Sequence, residues 1–282
     1  MKKMLALTLA AMLLMTGCGA KSETPAAGGS STAESTATTG GKFVVGMECN
    51  YAPFNWTQID KNDTTVSLGG AGNADGYDVV MAKAIADGLG KELEIKKIAW
   101  EGLEPALSSG EIDAIIAGMT DTPERRQNAE FTTPYYESDM VVIVRADDPL
   151  AKITSIQDLS GKKVLGQMST LYDEVIDQIK GVTHATPLAS YPLMVVALQN
   201  KEVDALTAEL PVARGVVSSN PGLTIVEFEK GKGFEADTSV SIAVKKGSTE
   251  LRDKIQGVLD GITEEQRLQW MTDATARQPA QE

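Results

Sequence analysis

Trp100-Glu101-Gly102-Leu103-Glu104-Pro105-Ala106-Leu107-Ser108-Ser109-Gly110-Glu111-Ile112-Asp113-Ala114-Ile115-Ile116-Ala117-Gly118-Met119-Thr120 decides the fold class. Residues 101–108 read as a helix, and the apolar run 112–116 reads as a strand. A further strand, 93–98, comes just before, so the unit is strand, helix, strand. Such alternation marks an α/β protein with parallel sheets. Upstream, 42–46 reads as a first strand that ends in a turn-rich stretch through Pro53. Residues 76–89 carry Val79, Val80, Ala84, Ile85 and Leu89 at helical spacing and stop at Gly90, a C-cap residue. Downstream, Thr122-Pro123-Glu124 predicts a helix start, with Thr as N-cap and Pro in the first turn. Met140-Val141-Val142-Ile143-Val144 is a strand with no helical phase. A second series then follows, with strands over 163–166, 203–207, 223–226 and 239–244. Its helices fall at 170–179, 191–200 and 211–218, and 248–275 reads as two helices broken near Gly261-Ile262-Thr263. Two such series with an unbroken strand between them predict two similar lobes.

The N-terminus sets the compartment. Lys2 and Lys3 precede an uncharged run over 4–15, too short to span a membrane, which takes about 20 apolar residues. The run suits the apolar core of a secretory signal over 1–17. It closes on Met15-Thr16-Gly17-Cys18, which resembles the lipobox of bacterial lipoproteins, although Leu usually stands where Met15 does. The resemblance implies a lipidated Cys18, an exported chain and attachment to the outer face of the cell membrane through acyl chains alone. Residues 18–41, rich in Ser, Thr, Ala and Gly, cannot bury enough surface to offset their ordering entropy and read as a flexible tether.

The remaining sequence narrows the chemistry. Hydrophobic residues make up 42% and the formal net charge is −13. With no Lys/Arg block, nucleic acid is a poor partner. Cys49 is the only cysteine besides Cys18, and His184 is the sole histidine. An intrachain disulfide, a His-based zinc site and a Ser-His-Asp triad are therefore hard to build. No cofactor or metal is expected, and the chain is expected to be a monomer.

Four stretches carry the candidate binding chemistry. They are Glu48 to Phe54, Trp100, Gly118 to Arg126, and Met168-Ser169-Thr170 together with Ala208-Glu209. Each follows or ends a strand, where ligands of α/β sheets lie. A free amino acid offers a carboxylate and an ammonium on one carbon. Arg125 is the fitted partner for the carboxylate, as a planar cation placed in the first turn of a helix. Ser169 and Thr170 open another helix and add N–H and hydroxyl donors, with Asp173 placed for a capping box. Glu209 is an acceptor-only anion for the ammonium. Tyr51 and Trp100 offer flat faces to sandwich an apolar or cationic stem.

Tyr51-Ala52-Pro53-Phe54, Gly76-Tyr77-Asp78-Val79, the stretch from Trp100 to Leu107, the stretch from Gly110 to Thr120, Thr122-Pro123-Glu124-Arg125 and Pro134-Tyr135-Tyr136 occur in this order. Together they strongly resemble the polar amino acid-binding proteins of ABC importers, solute-binding protein family 3. The resemblance covers residues 42 to about 275. It implies a two-lobed periplasmic-binding-protein-like fold of type II, with 42–138 plus 239–282 as lobe one and 139–238 as lobe two. Two crossing strands, near 138–142 and 229–238, would join the lobes. It implies that Arg125 grips the ligand carboxylate with Thr120 and the Gly118 backbone, and that Thr170 reaches it from the other lobe. Glu209 stands where Asp usually binds the α-ammonium, and Tyr51 and Trp100 match the stacking positions. Glu48 matches a position that often holds Asp in binders of basic or polar amino acids. The implied function is extracytoplasmic capture of a free L-amino acid and delivery to importer permease subunits, with a basic ligand favoured over glutamine and other polar ones.

Two departures stand out. Met168-Ser169-Thr170 replaces the usual Gly-Thr-Thr, and 60–75 is long and Gly-rich, either a surface loop or a flap over the site. Rival readings are a dehydratase-type enzyme on the same fold, using Glu48 or Glu209 as acid, and a sensory or adhesin subunit without transport.

Overall fold

The computed structural model describes residues 40–279. The leader expected over 1–17, the lipidation expected at Cys18 and all but the last two residues of the tether lie outside the described residues.

Two five-stranded sheets carry the chain. In the first, Glu92–Lys97, Lys42–Met47 and Ala114–Ile115 run parallel, followed by Ala243–Lys245 and Ala129–Phe131, each step antiparallel. In the second, Thr183–His184, Lys163–Leu165 and Ala205–Glu209 run parallel, followed by Met140–Arg145 and Leu223–Val226, again antiparallel at each step. Both sheets therefore follow one plan. The antiparallel strand beside each parallel trio is the first strand formed after the chain crosses from the other sheet. The expected two-lobed α/β architecture is the one observed.

The strands form where apolar, β-branched runs can be buried on both faces. Val141, Val142, Ile143 and Val144 are all buried, as a central strand requires. Phe43, Val45 and Met47 are fully buried, each worth about 1.5–3 kcal/mol of burial. Among the described residues the α-helices are α1 (Tyr77–Gly88), α2 (Trp100–Ser109), α3 (Leu171–Glu174), α4 (Tyr191–Gln199), α5 (Leu210–Ser219), α6 (Thr249–Asp260) and α7 (Glu264–Arg277). The break between α6 and α7 has a chemical cause. Thr263 Oγ1 accepts from the Gln266 amide at 3.2 Å, and Gln266 Oε1 accepts from the Thr263 amide at 3.0 Å, a capping box that starts a new helix.

Four expectations change in detail. Thr122 opens only a 3-10 turn, Arg125–Gln127, because the chain must extend again at once to form the edge strand Ala129–Phe131. Thr122 still caps it, its Oγ1 accepting from the Arg125 amide at 3.3 Å. The helix expected over 170–179 is one α-turn, α3, followed by the 3-10 turn Val175–Gln178. The return crossing near 229–238 forms no ladder, since Gly231 and Gly233 interrupt any pairing. It runs beside the outgoing segment, tied by the Tyr136 and Val240 bridge and by Thr238 Oγ1 donating to the Ser138 carbonyl. Finally, 60–75 contributes Val66–Ser67 and Asn73–Asp75 to a small antiparallel sheet with Asn50–Tyr51 and Asn55–Gln58. Asp75 anchors it, accepting from Arg277 at 3.1 Å and from Asn62 and Thr64.

Candidate functional site

The carboxyl ends of both parallel trios face one cleft. It is a narrow space, lined from the first sheet's side by Glu48, Tyr51, Trp100, Gly118, Thr120 and Arg125. Gln167, Thr170, Leu171 and Tyr172 close it from the second. Most of the candidate residues thus converge on a single space. Ser169 and Glu209 do not line it, and no residue of 60–75 does.

Arg125 is held on all sides. Its Nη1 donates to the Thr120 carbonyl at 2.8 Å and its Nε to Glu104 Oε1 at 3.3 Å. Its Nη2 donates to the Ser169 carbonyl at 3.2 Å, a bond across the cleft. The guanidinium also lies 5.2 Å from the centre of the Trp100 ring, within cation–π range. Burial lowers its pKa and the Glu104 carboxylate opposes that fall; a guanidinium stays charged in either case. Trp100 Nε1 donates to the same Ser169 carbonyl at 3.1 Å.

Ser169 therefore enters the site through an acceptor, not through the donors expected of it. Its φ of 60° places a non-glycine residue in the left-handed region, and the chain turns there ahead of α3. The expected capping box is absent. Thr170 Oγ1 donates instead to the Gln167 carbonyl at 2.7 Å, and Asp173 pairs with His184 at 2.9 Å.

Glu209 ends the strand Ala205–Glu209 and is fully buried. Its carboxylate accepts from the Tyr51 hydroxyl and, at 3.2 Å, from Ser138 Oγ. Burial pushes its pKa up to about 8 and the charge of Asp78 adds to this, against the pull of Tyr51, Ser138 and the nearby Tyr172 hydroxyl. Tyr51 stacks one face on Phe54 at 5.5 Å and tilts against Tyr191 at 5.3 Å, so it has one face less for a ligand than a sandwich needs. Glu48 accepts from Gln167 Nε2 at 3.2 Å across the cleft. Burial pushes it up to about 7; the Gln167 bond opposes this and the charge of Glu101 adds to it.

A buried polar hub sets the loops that carry these groups. Asp78, fully buried on α1, accepts from Tyr135 Oη and Asn55 Nδ2, each at 2.7 Å. Tyr135 Oη in turn accepts from the Gly118 amide at 3.0 Å, and Asn55 Oδ1 accepts from the Cys49 amide at 2.7 Å. One carboxylate thus fixes both the Glu48 loop and the Gly118 loop. Gly118 itself has φ of 62°, and a Cβ there would stand 3.1 Å from the Tyr51 ring. Only glycine lets the loop and the ring meet so closely. Burial raises the Asp78 carboxyl to about 6, against the two bonds it receives.

Among the described residues, no group of three His, Cys, Asp or Glu side chains is placed to hold a metal. The cleft's donors and acceptors suit a small charged organic molecule.

A family model for bacterial extracellular solute-binding proteins, family 3, matches residues 43–274. The chain belongs to this family. The putative ABC transporter arginine-binding protein 2 of Escherichia coli is 30% identical over 216 residues, covering 76% of this chain and 82% of that protein. A probable histidine-binding protein of Campylobacter jejuni is 34% identical over 193 residues, covering 67% of this chain and 69% of that one. Among solved structures, the amino acid ABC transporter substrate-binding protein AbpA of Streptococcus pneumoniae, bound to L-arginine, matches with TM-score 0.73 and 30% identity. That match covers 83% of this chain and 94% of the other.

In this family 3 protein, sequence reasoning missed Ala117, Gln167, Leu171 and Tyr172 as cleft residues. Gln167 lies two positions past the strand Lys163–Leu165, where the strand-end rule already points. The reading began one residue too late, at Met168, whose side chain is partly exposed and does not line the cavity.

Proposed function

We propose that this chain captures a free L-amino acid between its lobes and delivers it to the membrane subunits of an ABC importer. Basic amino acids are favoured, then glutamine or another polar one. The observation that carries this is the shared cavity: Arg125, Thr120 and Gly118 on one wall, Thr170 on the other, and the Glu48 carboxylate facing the same space. In this reading Arg125 takes the ligand carboxylate, Glu209 neutralises the α-ammonium, Trp100 and Tyr51 flank the stem, and Glu48 receives a cationic end. The relatives' arginine and histidine ligands support it. Residues 42–138 plus 239–282 act as lobe one and 139–238 as lobe two. Groups on both lobes hold the same molecule, so ligand stabilises the closed state over the open one.

Calorimetry with the twenty amino acids tests this directly, and arginine, lysine or histidine should bind most tightly. A chain that binds none of the twenty would sink the reading. The pH profile adds a second signature. A carboxyl at about 7 in the closed cleft, against 4.5 in water, keeps its proton in the closed ligand-free form. That form is favoured at low pH and loses the advantage as pH rises through 7. A cation beside Glu48 drives the proton off, so affinity for L-arginine should climb from roughly pH 5 to pH 8, with proton release on binding. Glu48→Gln should remove the Glu48 part of that climb, leaving the part that Glu209 contributes at about 8, and favour glutamine over arginine.

The lipid anchor at Cys18 belongs to the same proposal, since a tethered receptor stays near its importer. Two acyl chains hold a protein to a bilayer far more stably than one. Full-length protein should fractionate with membranes and the Cys18→Ser form should not; membrane-bound Cys18→Ser protein would remove the anchor from the proposal.

A further inference from the structure

Five tyrosines are buried in the described part of the chain, and four have conventional hydrogen-bond partners. Tyr51 donates to Glu209, Tyr77 to the Tyr135 carbonyl at 2.9 Å, Tyr135 to Asp78 at 2.7 Å and Tyr191 to the Thr207 carbonyl at 2.6 Å. The fifth, Tyr172, is 5% exposed; its hydroxyl lies near the Glu209 carboxyl but makes no hydrogen bond of ordinary geometry. A buried phenol without such a bond is destabilising and calls for a reason. Tyr172 also lines the cleft cavity.

Its place is tightly set. The Tyr172 carbonyl accepts from Thr207 Oγ1 at 2.6 Å, which binds the first turn of α3 to the central strand of its sheet. Gly166 allows that approach: a Cβ there would lie 2.5 Å from Asp173 Cα and 2.8 Å from the Tyr172 carbonyl oxygen. The side chain stands near both the Glu209 carboxyl and the cationic Arg125. Those are the two groups assigned above to the opposite charges of one zwitterion.

The acceptor count at the ammonium end is short. A primary ammonium has three N–H donors. Glu209 already accepts from Tyr51 and Ser138 and does not line the cavity, so it cannot serve all three. We propose that Tyr172 is a direct ligand contact whose phenolic oxygen accepts a hydrogen bond from the α-ammonium of the bound amino acid. The assignment rests on the amino acid reading above and adds to it a residue that reads the α-amino group. α-Amino acids are thereby selected over carboxylic acids of the same shape.

The test compares wild type with Tyr172→Phe, using L-arginine and its analogue with hydrogen in place of the α-amino group, by calorimetry and by competition. L-Glutamine and its deaminated analogue serve as the second pair. The variant should bind the amino acid roughly tenfold or more weakly, since hydrogen bonds to charged groups are the stronger kind. For the deaminated analogue the two proteins should bind alike. Ligand-free Tyr172→Phe should melt at the wild-type temperature or above, because the hydroxyl removed makes no hydrogen bond of ordinary geometry. Equal amino acid affinity in the two proteins overturns the assignment. So does an equal loss for both members of a pair, which would mean a role in shape alone, or a lowered ligand-free Tm. Wild type that binds none of the twenty amino acids fails at the level of the function itself and is recognised by that.

Discussion

Arg125→Ala should abolish the rise in Tm that L-arginine confers on the wild-type protein. Three of the groups around Arg125 are fixed by the chain itself: Thr120, Glu104 and Ser169 hold the guanidinium at 2.8, 3.3 and 3.2 Å. Its side chain is only 11% exposed, so a ligand carboxylate meets a cation already oriented and largely stripped of water. Charge-assisted hydrogen bonds contribute about 1.5–3 kcal/mol each, and a planar fork makes two in parallel. Losing both costs roughly 3–6 kcal/mol, or a factor of a hundred or more in Kd. The carboxylate would also enter a cleft whose one lining acid, Glu48, repels it when ionised. Arg125→Lys keeps the charge without the fork and should fall between the two. A ligand-induced shift of wild-type size in Arg125→Ala would show that the carboxylate is held elsewhere.

Asp78→Ala should be the most destabilising single change near the cleft. It strips the acceptor from Tyr135 Oη and Asn55 Nδ2, both buried, in a residue that is itself fully buried. Each orphaned donor costs about 1–3 kcal/mol, and with the cavity left by the carboxyl the total is about 3–5 kcal/mol. For a protein of this size the Tm should fall by roughly 6–15 °C. Asp78→Asn retains one carbonyl acceptor and should fall less. The consequence reaches the ligand as well, because Tyr135 sets the Gly118 amide and Asn55 sets the Cys49 amide. Thermal unfolding of the purified variants decides it: an Asp78→Ala protein within a degree of wild type would mean that the hub carries no load.

Periodicity and strand ends revealed the frame of this protein. Met140–Arg145 was legible because an apolar β-branched run without helical phase has few other uses. The α6 to α7 break was legible because Gly261-Ile262-Thr263 interrupts the helical pattern, whereas the Thr263 and Gln266 capping box emerged only in the structure. The small sheet around 50–75 was not, since strands of two to four mostly polar residues carry no periodic signal and exist only through their partners. Within the cleft, Arg125 and Thr170 were legible because they stand at helix starts just past strands, and Thr120 only through the family resemblance. The behaviour of Ser169 was hidden, because a backbone carbonyl gains its role from φ and not from residue type. The hub at Asp78 was hidden for a related reason: Asp78, Asn55 and Tyr135 are far apart in sequence and meet only after folding. The withdrawal of Glu209 behind Tyr51 likewise depends on tertiary packing.

The crossed plan of the two sheets has a consequence for synthesis order. The strand Ala243–Lys245 lies between Ala114–Ile115 and Ala129–Phe131 and is the only sheet partner of the latter among the described residues. The sheet begun by the earliest-made part of the folded body therefore stays open until residues 243–245 have been made. The second sheet, built wholly from one uninterrupted stretch, can finish first. A chain wired this way cannot complete its first sheet until every strand of its second has already been made.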